Sequence, residues 1–74
     1  MEFEHIDPAR RMWRYYRLRV EPSLLGGWTL VREWGRIGVS RRQRIQHCSS
    51  IEAAEAARAR LVSSKLRRGY RQRN

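Results

Sequence analysis

Arg32-Glu33-Trp34-Gly35-Arg36 sets an indole between two guanidinium groups. In an extended chain side chains alternate with a period of two, so Arg32, Trp34 and Arg36 point to one side. An exposed indole in that position stacks on a base or sugar for about 1–3 kcal/mol per base. The flanking guanidiniums would hold phosphate oxygens. The same parity carries Trp28 and Leu30, which read as core residues. Two readings stay open: the strand bends near Gly35 and exposes Trp34, or Trp34 belongs to a small core. Glu33 reads as an ion-pair partner for an arginine, since a lone carboxylate is far more often that than a general base.

Two further basic groups, Arg41-Arg42-Arg44 and Lys65-Arg67-Arg68-Arg71-Arg73, form a second candidate surface. Charge runs are usually solvated faces, but the total is harder to dismiss. The 74 residues hold 17 Lys+Arg against 7 Asp+Glu, a net charge of +10. On so small a body that costs self-repulsion unless a polyanion relieves it. All but one of the basic residues are arginine, Lys65 being the exception. Arginine's planar fork matches phosphate and carboxylate oxygens and stacks on rings.

Catalytic and metal-binding patterns are missing from the sequence. His5, His47 and Cys48 have no partners at triad or ligand spacing. His47 and Cys48, adjacent on a strand, would face opposite ways. Gly35-x-x-Gly38 does not match a phosphate-cradling loop. The expectation is no enzyme, no metal, no cofactor and no small-molecule substrate. No apolar run approaches the roughly 20 residues of a bilayer span, so no membrane partner is expected. The acidic start Met1-Glu2-Phe3-Glu4-His5 is no signal peptide, and a lone cysteine suits a reducing compartment. Cytoplasm is the expected location, with nucleoid association following from a nucleic-acid partner.

The elements that must position these residues read as β-β-β-α. Residues 1–11 read as a lead-in, with Pro8 a boundary. In Met12 to Val20, Tyr16, Leu18 and Val20 share one face and Arg17 and Arg19 the other, the pattern of a half-buried strand. Pro22 to Gly27 supplies a turn, with Gly26-Gly27 able to take positive φ. Trp28 to Trp34 completes an antiparallel hairpin, and Gly35 and Gly38 suggest a bulge, a bend or close approach of another backbone. After a turn at Val39–Arg42, Gln43 to Cys48 forms a further strand with Ile45 facing inward. Ser49-Ser50-Ile51-Glu52 fits a capping box, opening a helix that buries Ala54, Ala57 and Leu61 and ends at Gly69. So much alanine places the helix close against a sheet. Residues 12–70 form one α+β domain, a small antiparallel sheet of three to five strands packed against one C-terminal helix. Residues 71–74 form a frayed basic tail.

Trp34-Gly35-Arg36-Ile37-Gly38 also resembles the signature of the WGR domain family, which is named for its first three residues. The setting is similar over about residues 13–70: a Tyr15-Tyr16 strand, a Gly-rich turn, an aromatic strand into the signature, another strand, then a helix opening Ser-x-x-Glu. The family is best known within DNA-dependent poly(ADP-ribose) polymerases and also occurs as short stand-alone bacterial proteins. In the polymerases the domain helps to recognise a broken DNA end. The resemblance implies that Trp34 faces a nucleotide and that Arg36 contacts phosphate or a partner. Gly35 and Gly38 are then structural parts of the signature. These 74 residues hold no polymerase catalytic domain or zinc finger. Where the polymerase domain has a Lys-Thr-Gly-Asn-like turn and a tryptophan, this chain has Lys65-Leu66-Arg67-Arg68-Gly69-Tyr70.

The expected function is therefore nucleic-acid binding of low sequence specificity, with DNA, at ends or breaks, favoured over RNA. Trp34 would stack while Arg32, Arg36, Arg41, Arg42, Arg44, Lys65, Arg67 and Arg68 hold the backbone. The rival is a protein–protein adaptor anchored by Trp34 and Arg36, acting with a separate DNA-repair or ADP-ribosylation partner.

Overall fold

The computed structural model describes residues 1–73. A five-stranded antiparallel sheet carries one helix on one of its faces. In chain order the elements are β1 (Glu2–Asp7), a 3-10 turn (Pro8–Arg10), β2 (Met12–Pro22), β3 (Trp28–Arg36), β4 (Arg42–Cys48), α1 (Ile51–Arg67) and β5 (Arg71–Arg73). Across the sheet the strands run β4-β3-β2-β1-β5. This is the small α+β architecture expected from the sequence.

The β2–β3 hairpin is the spine. Tyr16 pairs with Trp34, Leu18 with Arg32, Val20 with Leu30 and Pro22 with Trp28. Gly26 and Gly27 take φ of 95° and 74° in the connection, as the turn requires. The side that carries Tyr16, Leu18 and Leu30 lies under α1 and makes the core with Phe3, Cys48, Ala54 and Ala57. Alanines on the buried stripe let the helix backbone settle close to the sheet. Leu61 and Val62 pack at the margin of the same core, as does Trp34.

Both helix ends are capped. Ser50, in extended conformation, accepts the Ala53 N–H at 3.1 Å. The cap is thus one residue later than the box Ser49-x-x-Glu52 predicts. Glu52 still lies in the positive first turn but not at the third helical position, from which it would reach back. At the other end Tyr70 N–H donates to the Lys65 carbonyl at 3.0 Å and Gly69 N–H to that of Leu66 at 3.1 Å. With Gly69 at φ 92° this is a Schellman closure.

Three expectations are corrected. Residues 1–11 are no lead-in: β1 sits inside the sheet, paired to β2 and β5, and Phe3 is 1% exposed. The alternation Glu2-Phe3-Glu4-His5 sends the phenylalanine to the core and the acids to the other face. Residues 71–73 of the basic tail form β5 on the outer edge of β1, through Glu2–Arg73 and Glu4–Arg71 pairs; Asn74 lies outside the described residues. Ile45 does not face inward. It pairs with Val31 on the face without a helix and is 63% exposed. One helix cannot cover both sides of the sheet, and no second layer exists among the described residues.

Candidate nucleic-acid interface

The signature sits at the end of β3, where the chain folds tightly back. Arg36 carbonyl accepts from Val39 N–H at 3.0 Å and Ser40 N–H at 3.1 Å. The Ser40 hydroxyl accepts the Arg36 N–H at 2.9 Å. This brings the Ser40 carbonyl so close to Gly35 that an added Cβ would lie 2.2 Å from its oxygen. Gly35 is therefore the close approach that the strand pattern suggested. Gly38 turns the loop at φ 73° with open space around it. Ile37 N–H, donating to the Trp13 carbonyl at 2.8 Å, anchors the loop to β2. The resulting loop is held by backbone and hydroxyl contacts before any ligand arrives.

Trp34 resolves the two open readings by doing part of each. It stays on the helix side of β3, packs against the core and lies 6.4 Å from the Tyr16 ring, centroid to centroid. Yet it is only half-buried and lines two adjoining depressions. The larger is a groove of about 690 Å3 between the signature loop, the start of β2 and the helix C-terminus. Its charged lining is Arg10, Arg11, Arg14, Arg36, Arg42, Lys65 and Arg68, with no carboxylate among the described residues. Trp13, Tyr15, Trp34 and Tyr70 supply its aromatic surface. The Arg36 guanidinium lies 5.3 Å from the Trp13 ring centroid, a cation–π arrangement that fixes its direction.

Lys65 is held by the Schellman turn. Its ammonium sits 4.3 Å from the Tyr16 ring centroid and 5.1 Å from that of Tyr70. Burial pushes its pKa down, and the neighbouring Arg68, Arg32 and Arg14 charges push the same way. Burial raises the Tyr16 hydroxyl above its ordinary value, against the pull of Arg32. Among the described residues Lys65 has no carboxylate within ion-pair distance.

The acids are elsewhere. Glu2 and Glu33 both bind Arg17, at 3.0 and 3.2 Å, on the face without a helix. Glu4 pairs with Arg73, Glu21 with Arg19, Glu55 with Arg58, and Asp7 with Arg10. Arg10 is thus the one groove cation with a carboxylate in reach, at 3.6 Å, among the described residues.

Of the residues singled out from sequence, Trp34, Gly35, Arg36, Arg42, Lys65 and Arg68 meet at the groove. Arg32 and Arg44 line the adjoining cleft with Lys65 and Arg68. Arg41 and Gly38 instead border a depression on the opposite face, beside Glu2, Glu4 and Glu33. Arg67 borders a separate depression beside α1, with Met1 and Glu55. Sequence reasoning missed Arg10, Arg11, Arg14, Trp13 and Tyr70. The adjacent pair Arg10-Arg11 is the available signal, but a lead-in reading of residues 1–11 leaves it outside the site.

This fold, with its signature loop against the sheet end, defines a class. The WGR domain family model matches residues 1–74, and the chain belongs to that family. It is also similar to the uncharacterized protein y4dW of Sinorhizobium fredii (strain NBRC 101917 / NGR234), at 41% identity over 70 residues. That match covers 95% of this chain and 34% of y4dW, so the chain spans about a third of that relative's length. No solved structure matches.

Proposed function

We propose that this WGR domain is a non-enzymatic module that binds nucleic acid along the basic groove, with low sequence specificity. The observation that carries the reading is the groove's lining: seven Arg and Lys cations, four Trp and Tyr rings beside His5, and no carboxylate among the described residues. Guanidiniums along its length engage phosphates, and phosphate contacts position without reading sequence. Trp34 and Trp13 offer ring surface to a base or sugar at the groove floor, a contact that tolerates any base. The family's role in DNA-dependent polymerases favours DNA, and an end or break, as the form recognised.

Fluorescence polarisation with blunt duplex, nicked duplex, single strand and RNA at several salt concentrations tests the reading. Neutralising about six phosphates gives a slope of about −5 in log K against log salt on duplex. Because Trp34 also packs on the core, Trp34→Phe is the informative variant. It keeps an apolar ring in place and should bind several-fold more weakly while remaining folded. Equal, weak binding to heparin and all four probes, indifferent to Trp34→Phe and to Arg36→Gln, would reject the groove.

A further inference from the structure

Beside the groove, on the β4 side of Trp34, lies a second depression of about 320 Å3 between β3, β4 and α1. Arg32, Arg44, Lys65 and Arg68 line it together with Ser64, and no carboxylate does among the described residues. None of these four cations has a carboxylate within ion-pair distance among the described residues. Arg32 is the most telling. It stands opposite Leu18 on the core side of the hairpin, a register position that an apolar side chain would ordinarily fill. Its Nε is buried without a hydrogen-bond partner. A buried donor left unpaired costs free energy, and a guanidinium packed among like charges costs more. The sequence has seven carboxylates and places none of them here, although one would relieve the strain from within.

We propose that this cleft is a binding site for a phosphoryl group, with the Arg32, Arg44 and Arg68 guanidiniums, the Lys65 ammonium and the Ser64 hydroxyl as its donors. The shape of the donor set suits a tetrahedral oxyanion better than a carboxylate. Three planar forks and a point charge approach from β3, β4 and α1, so several oxygens are served from different sides. Two sources supply that chemistry: a phosphodiester of a nucleic acid lying in the groove, or a small phosphorylated compound. Trp34 separates groove from cleft while Lys65 and Arg68 border both, so one strand could fill the two in succession. The site extends the proposed function without depending on it.

Inorganic pyrophosphate is the probe, added to the intact 74-residue protein at ionic strength matched with chloride. It should raise the melting midpoint and shift the indole and Arg Nε resonances of Trp34 and Arg32. Arg44→Gln, at an exposed position, and Arg32→Met, which preserves the buried stem, should each weaken pyrophosphate binding on the order of tenfold. Both should melt higher than wild type in chloride alone, because each removes like-charge repulsion. Arg60→Gln, an equal charge change on the exposed side of α1, should alter neither. If duplex DNA displaces pyrophosphate, the occupant is a phosphodiester. If Arg44→Gln loses pyrophosphate but binds duplex as wild type does, it is a small phosphorylated ligand. Pyrophosphate no more protective than chloride, or equally protective in Arg44→Gln and Arg60→Gln, overturns the proposal. Failure of every duplex to bind would remove the groove's proposed role and leave this cleft standing.

Discussion

The two faces of the sheet handle charge in opposite ways. On the face without a helix, carboxylates and guanidiniums are paired locally: Arg17 bridges Glu2 and Glu33, and Arg73 reaches Glu4. In the groove and the cleft beside the signature loop, cations accumulate with aromatic rings, and no acid lines either among the described residues. Net charge is a property of the whole chain, but its consequences depend on placement. The paired face satisfies its own electrostatics, whereas the described residues of the other face leave most of its cations without a carboxylate. Strand alternation does much of this sorting, since in β1 Glu2 and Glu4 take one side while Phe3 and His5 take the other.

That contrast can be broken at its hinge. Gly35→Ala carries the largest expected effect, because its Cβ would meet the Ser40 carbonyl oxygen at 2.2 Å. The loop must give way, at a cost of about 3 kcal/mol in a urea titration. Nucleic-acid binding should fall with it, since Arg36 and Arg42 flank that loop. A variant as stable as wild type would show that the loop is not clamped as described.

A smaller effect separates the faces. Arg17→Gln leaves Glu33, whose side chain is 11% exposed, without its partner. Stability should drop by about 1 kcal/mol, discounted because Arg17 itself is half exposed. Duplex affinity should stay within twofold of wild type. A loss like that of Arg36→Gln would erase the distinction between the paired and unpaired faces.

The smallest effect sharpens the unpaired side. Arginines stay charged to very high pH, so Lys65 is the basic groove side chain that loses its charge as pH rises toward 10.5. Arg14, Arg32 and Arg68 face it, with the Tyr16 and Tyr70 rings beneath, and together with burial they hold its pKa below 10.5. Affinity for duplex should therefore weaken a few-fold as pH climbs through the lowered Lys65 value, below 10.5. The sign for stability is the reverse. A lysine depressed in the folded state penalises the fold while charged, and that penalty fades as pH rises through the lowered value. Lys65→Arg should flatten the binding profile. An unchanged slope would place the titrating group elsewhere.

Much of the positioning framework was legible in the sequence. The hairpin could be read because Tyr16, Leu18 and Val20 alternate cleanly with arginines and the Gly26-Gly27 turn permits positive φ. The helix could be read because alanine spacing and both termini agree. What failed shares one cause: strand alternation gives two faces but does not say which of them is covered. Ile45 is apolar and follows the strand period, yet its face has no layer over it. Phe3 lies among acids near the chain start, where a single apolar residue does not mark a strand. Trp34 and Arg36 could be singled out locally, whereas the convergence of Arg14, Lys65 and Tyr70 required the sheet order and the helix end. Arg67 is adjacent to Arg68 in sequence, and only the helix end shows that the two border different depressions.

The pairing of Glu2 with Arg73 carries a consequence for how such a module joins other chains. First and last strands are neighbours running in opposite directions, so the path into the domain and the path out of it lie side by side. The Met1 amino group already donates to the Leu18 carbonyl at 2.8 Å, a role that a peptide N–H fills equally well. A unit with adjoining entry and exit can be inserted into a longer polypeptide with little rearrangement of either flank. Its ligand-facing groove stays intact, because no residue of that groove lies at the splice.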